Sequence, residues 1–147
     1  MTGRMLLSGV AAATLLYAAP AWAQLVFEPG EGDFNWASFE EFADAHDLSG
    51  ETIEITGPWT GEDARLFNSA IAYFEEATGA TVNYSGSDSF EQDIVISAQA
   101  GSPPNIAVFP QPGLAADMAS RGFLSPLDDG TDDWVRANYA AGDSWVD

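Results

Sequence analysis

The sequence predicts an α/β fold with a mostly parallel sheet, and three observations predict it. From Glu51 onward, short β-type runs alternate with amphipathic helical runs in the order β-α-β-α-β-α. One of those runs, Ile106-Ala107-Val108-Phe109, is continuously apolar between Pro-rich stops, the pattern of a strand covered on both faces in a parallel sheet. The composition is that of a globular chain, with 46% of the 147 residues hydrophobic and 12% aromatic. There is no Cys, so no disulfide contributes and the fold must rest on an apolar core.

Each element has a local reason. Residues 24–35 are rich in Gly, Pro and acid and are expected to form an irregular leader. Ser38 with Glu41 makes a capping-box pair for a short helix whose stripe is Phe39, Phe42 and Ala43 and which ends near His46. Strand one follows, because Ile53 and Ile55 alternate with Thr52, Glu54 and Thr56 until Gly57-Pro58 stops the run. Thr60-Gly61-Glu62-Asp63 is a second capping box. After it Leu66, Phe67, Ala70, Ile71, Phe74 and Ala77 recur at helical spacing, and Gly79 closes the helix.

Thr81 to Tyr84 is a short second strand, turned by Ser85-Gly86-Ser87-Asp88. Ser89 and Gln92 cap the next helix, with Phe90, Ile94, Val95 and Ala98 as its apolar face and Gly101 and Pro103-Pro104 as its stop. The apolar run 106–109 is strand three, expected at the centre of the sheet. A helix from about Leu114 to Ser120 turns Leu114, Met118 and Ala119 inward and ends at Gly122. Residues 128–133 are expected to be an acidic turn and Trp134 to Ala141 a final helix.

Charge narrows the function. Twenty-three acids face four Arg and no Lys, for a net −19, which argues against nucleic acid or an anionic membrane as partner. Residues 1–23 hold no acid, carry Arg4 ahead of an apolar run from Met5 to Ala19, and end in Pro20-Ala21-Trp22-Ala23. That is the pattern of a secretory signal peptide cleaved after Ala23, and the run is short for a membrane anchor. Cleavage removes one Arg and no acid, so the net charge moves from −19 to −20 on 124 remaining residues.

In a parallel sheet, ligands bind beyond the carboxyl ends of the strands. Three segments fall there: residues 57–63, 85–89 and 110–113. They offer an indole, neutral amides, hydroxyls and carboxylates, and sugars suit that set because their ring faces pack on aromatics while their hydroxyls find firm acceptors. Packing for Trp59, with caps and turns for the rest, is the alternative. A nucleotide-binding reading lacks both G-x-G-x-x-G and the Lys of a P-loop. Nucleophilic catalysis lacks a Cys, a G-x-S-x-G elbow and any His beyond His46. Residues 128–133 depart from a calcium loop and lack its twelfth-position Glu.

Several runs carry a family resemblance: Thr52-Ile53-Glu54-Ile55-Thr56-Gly57-Pro58-Trp59, then Phe74-Glu75-Glu76-Ala77-Thr78-Gly79-Ala80-Thr81-Val82-Asn83-Tyr84. Gly101-Ser102-Pro103-Pro104-Asn105-Ile106-Ala107 looks like a "G-x-x-P-D-I" segment with Asn105 where Asp is usual, and Gly122-Phe123-Leu124-Ser125-Pro126-Leu127 looks like a "G-x-L-x-P-L" helix exit. Together they resemble the family 1 extracellular solute-binding proteins of ABC transporters, the maltose-binding-like receptors. Pro29-Gly30-Glu31-Gly32, Phe34-Asn35-Trp36, residues 45–50 and Gly57-Pro58-Trp59 look like the alpha-glucoside-binding branch.

The resemblance implies a two-lobed clamp of type II, monomeric and without cofactor or catalytic residue, that closes on a disaccharide or oligosaccharide in the periplasm and presents it to the permease subunits of an ABC importer. It implies that Trp59 and Thr60, Ser87 and Asp88, and Gln111 line the first lobe's wall. Family members are several hundred residues long, so after the signal peptide at 1–23 and an N-terminal extension with a short helix at 24–50, residues 51–147 are expected to be an incomplete N-terminal lobe. A secreted carbohydrate-active hydrolase and a truncated domain without function are the other readings.

Overall fold

The computed structural model describes residues 25–140. The signal peptide expected at 1–23 and its cleavage site lie outside the described residues, whereas the last helix, expected to run to Ala141, ends at Asn138 because Tyr139 turns extended. Eight elements follow one another: α1 (Trp36–Ala45), β1 (Thr52–Gly57), α2 (Gly61–Thr78), β2 (Thr81–Gly86), α3 (Phe90–Gln99), β3 (Ile106–Ala107), α4 (Pro112–Ser120) and α5 (Asp129–Asn138). Among these, no helix is long and apolar enough to cross a membrane.

The three strands form one parallel sheet, as the alternation predicts, but in the order β2-β1-β3. The expectation that strand three is central is therefore corrected: β1 is central, and β3 is a two-residue edge on which Ile106 is 48% exposed. The backbone explains the short strand, because the ladder ends where Val108 N–H donates to Thr56 O (2.9 Å) and Pro110 has no N–H to extend it. The apolar character of the run serves packing instead. Phe109 meets Phe90 edge-on at 5.6 Å, against the buried cluster of Phe90, Ile94, Ala98 and Met118.

The register places Ile53 beside Val82 and Ile55 beside Tyr84, so these four share one face of the sheet. Helix α2 covers that face, and its Phe67 lies 4.7 Å from the Tyr84 ring. On the opposite face Ala107 joins the α3–α4 cluster, while Asn83 Nδ2 donates to Glu54 Oε1 (2.7 Å) and stays exposed with it. Asn105 crosses to β1, its Oδ1 accepting from Glu54 N–H at 2.8 Å.

Other local expectations are adjusted by packing. Leu66 and Ala70 are exposed and Ala119 is too, whereas Ala72 and Thr78 are buried, so α2 is rotated from the face its periodicity suggests. Helix α1 starts earlier than the Ser38 capping box implies: Asn35 is its N-cap and accepts from Ser38 N–H. The acidic run read as a turn is the first turn of α5, because Asp128 Oδ1 accepts from Gly130 N–H (3.0 Å) and Thr131 N–H (3.1 Å). The leader is irregular but anchored, since the Tyr73 hydroxyl accepts from Phe27 N–H (2.8 Å) and donates to Phe27 O (3.2 Å). Gly79 ends α2 as expected, with φ of 73°, and a side chain there would also strike Ser49 Oγ at 2.6 Å.

Candidate functional site

Parallel pairing brings the carboxyl ends of β1 and β2 together, Gly57 beside Gly86. Ser87 N–H donates to Gly57 O (3.0 Å), so the loop after β2 begins against the loop after β1. The approach is closer still one step on. A Cβ on Gly86 would lie 1.7 Å from the Trp59 carbonyl oxygen, so only glycine lets the two loops touch. Four of the five residues that the resemblance singles out therefore sit on two adjoining loops.

Their side chains are held to different degrees. The Trp59 ring, half-buried, leans on Phe67 at 4.9 Å and stands 6.4 Å from Tyr84. The Tyr84 hydroxyl accepts from Trp59 N–H (2.9 Å) and donates to Trp59 O (3.1 Å). Thr60 is the N-cap residue of α2, yet its Oγ1 makes no cap bond and reaches Asp88 Oδ1 at 3.4 Å. Ser87 is committed locally: its hydroxyl donates to Asp93 Oδ2 (2.7 Å) and accepts from Ser89 N–H (3.1 Å). Asp88 is exposed, leaving its second oxygen to solvent. Gln111 is the exposed N-cap residue of α4, beyond β3 at the same end of the sheet, and no hydrogen bond among the described residues ties it to the other four.

Leu66, Phe67 and Tyr84, which lie outside the three loop segments, join the site. Asp63, Leu66 and Phe67 line, with Trp59, a depression of about 230 Å³. They occupy the first two turns of α2, so the same rotation that exposes Leu66 points it at the Trp59 loop. Tyr84 joins them by its hydroxyl, and no local signal in the sequence marks it, because its place opposite Ile55 comes from the register. Nearby, Arg65 Nε donates to Glu62 Oε2 (2.9 Å), which lowers the Glu62 carboxyl and raises the Arg65 guanidinium from their ordinary values. The cation is thus engaged by its own helix. The depression is lined by an indole, an aliphatic side chain and an aspartate, which suits a sugar ring with its hydroxyls.

Two other hollows differ in chemistry. One of about 420 Å³ lies between the leader, α1 and α2, walled by Phe27, Phe34, Trp36, Phe39 and Tyr73 with little polar surface. The other, about 370 Å³, lies between α3 and the polar face of the sheet and includes Glu54, Asp93 and Asn105. His46 packs on Phe42 at the end of α1, near Leu48, whose N–H donates to Thr78 O. That places it by the far end of α2, which at 1.5 Å per residue is about 27 Å long. Histidine chemistry is therefore remote from the Trp59 loop.

An open parallel sheet with an aromatic and carboxylate rim at its carboxyl ends defines a ligand-binding α/β lobe. Residues 57–146 match the family described as bacterial extracellular solute-binding protein, and the chain belongs to that family. It is 56% identical over 151 aligned residues to the alpha-glucosides-binding periplasmic protein AglE of Rhizobium meliloti (strain 1021), covering 98% of this chain and 33% of that protein. It is 44% identical over 75 residues to the osmoprotective compounds-binding protein GgtB of Synechocystis sp., covering 51% of this chain and 18% of that one. The chain thus spans about a third of the length of AglE. No solved structure matches it significantly.

Proposed function

We propose that this chain supplies one wall of a periplasmic receptor that binds an alpha-glucoside of the maltose, trehalose or sucrose kind and delivers it to the permease of an ABC importer. The observation that carries the reading is the depression that Trp59 shares with Asp63, next to which Thr60, the following residue, is bonded to Asp88 of the adjoining loop, all at the carboxyl ends of β1 and β2. Likeness to a protein named for binding alpha-glucosides supports the choice of sugar. In this reading residues 1–23 are the export signal, 24–50 an extension, and 51–147 the first lobe of a clamp.

Within the first lobe, Trp59 receives the apolar face of a pyranose ring and Asp88, steadied by Thr60, accepts from its hydroxyls. Ser87 acts through the loop, because its hydroxyl is already bonded to Asp93. Gln111 reaches the ligand from the β3 side. The protein binds and releases its sugar unchanged, and closure of the two lobes around it drives recognition by the permease.

The test starts from the native protein recovered from the periplasm and weighed intact. Calorimetric titration with maltose, trehalose and sucrose should show tight binding of at least one, with no glucose released on prolonged incubation. Release of glucose would move the protein to the hydrolases. Absence of any binding by the native protein would remove the receptor reading.

A further inference from the structure

We infer that Tyr84 is the positioning residue of the sugar platform: its hydroxyl sets the orientation of Trp59 without itself meeting ligand. The inference rests on the receptor reading for its consequence in affinity, and on geometry alone for the positioning itself. A single phenol oxygen accepts from Trp59 N–H at 2.9 Å and donates to Trp59 O at 3.1 Å. This is the bonding that a partner strand would supply, delivered by a side chain where the sheet has ended, since the β1–β2 ladder stops at Gly57 and Gly86. Both polar groups of the Trp59 backbone are satisfied by it.

Three further observations make the arrangement specific. The Tyr84 ring is fixed by Phe67 at 4.7 Å, and Phe67 also touches the indole at 4.9 Å, so hydroxyl and indole are referred to one side chain. Gly86 leaves no room for a Cβ beside Trp59 O, so the loop is seated against β2 from a second direction. Pro58, next to Trp59, has its φ fixed by its own ring, and the loop has few other freedoms before α2 begins at Gly61. An aromatic platform binds a sugar face well only when its plane is preset, because ordering it at the moment of binding subtracts from affinity.

The decisive variant is Tyr84→Phe, which keeps the ring between Phe67 and Trp59 and removes only the hydroxyl. Native protein labelled with 5-fluorotryptophan gives a fluorine resonance for Trp59, assigned by its loss in Trp59→Phe. In the parent this line should be single and narrow. In Tyr84→Phe it should shift and broaden or split, and affinity for the bound glucoside should fall about tenfold as two hydrogen bonds are lost and the Trp59 backbone N–H and C=O are left without their partner. Gly86→Ala, which displaces Trp59 O while keeping the hydroxyl, should move the same line.

A Trp59 line unchanged in Tyr84→Phe overturns the inference, whatever the ligand. A changed line with glucoside affinity within twofold of the parent also overturns it, because the plane would then not matter to binding. Should the parent bind no glucoside, the receptor reading fails while the fluorine line still decides whether Tyr84 sets the indole.

Discussion

Replacing Phe90 with Ala should strongly destabilise the α3–α4 side of the sheet and loosen the candidate site with it. Phe90 is 1% exposed, is among the largest fully buried side chains, and stands edge-on to Phe109 with rings 5.6 Å apart at 71°. Truncating such a Phe removes its transfer free energy and leaves a cavity, at a combined cost of about 3–5 kcal/mol. Against the roughly 5–15 kcal/mol that typically holds a domain together, that is at least about a fifth of the total. The loss also reaches function. Phe90 opens α3, its N–H donates to Ser87 O (3.1 Å), and Ser87 and Asp88 lie in the turn just before it. Urea unfolding followed by circular dichroism should show the full loss for Phe90→Ala, with the midpoint of thermal unfolding lowered by more than about 10 °C. Phe90→Leu, close to conserving volume, should cost less than about 1.5 kcal/mol. If Phe90→Ala cost no more than Phe90→Leu, the cluster around Met118 would not be the support of this half of the lobe.

Three further outcomes are open to direct measurement. Asn105→Ala removes the acceptor of Glu54 N–H and should lower the unfolding free energy by about 1 kcal/mol, while Asn105→Asp, which keeps an oxygen there, should lose less; equal losses would dismiss the bridge to β1. The net charge of −19 predicts self-repulsion, so thermal stability should rise as sodium chloride is raised from 0.01 to 1 M and the Debye length falls from about 30 to 3 Å; a flat or falling midpoint would count against it. Glu62 has its folded pKa held below the ordinary 4.5 by Arg65, so the stability it adds is present above that value and fades as pH falls through the lower, folded one. The midpoint difference between the parent and Glu62→Gln should therefore shrink in acid, and a difference that grows below pH 4.5 would contradict the pairing.

Much of this protein was written in local sequence. The βα alternation, the stop of α2 at Gly79, the buried face of α3 in Phe90, Ile94 and Ala98, and the two loops that carry Trp59, Thr60, Ser87 and Asp88 all follow from periodicity, caps and turn residues. These are properties a chain settles within a turn of helix or a pleat of strand, and they survive into the fold because packing agrees with them. Strand order was not of that kind. The apolar run 106–109 reads as a central strand, yet only two of its residues pair, on the edge, while Ala107 and Phe109 pack against the α3–α4 cluster. A hydrophobic residue records that it is covered and leaves open what covers it.

The site divides along the same line. Sequence alone placed an indole and carboxylates beyond the strand ends, because parallel strands put their following loops on one side. Only tertiary structure decided that Leu66 turns outward beside Trp59, that Ser87 is taken up by Asp93, and that Tyr84 holds Trp59 across 25 residues and Asn105 meets Glu54 across 51. Hydrogen bonds of that span depend on which strands become neighbours and in which register, and a phenol or an amide reads the same in the sequence whether it faces water or clasps another residue's backbone.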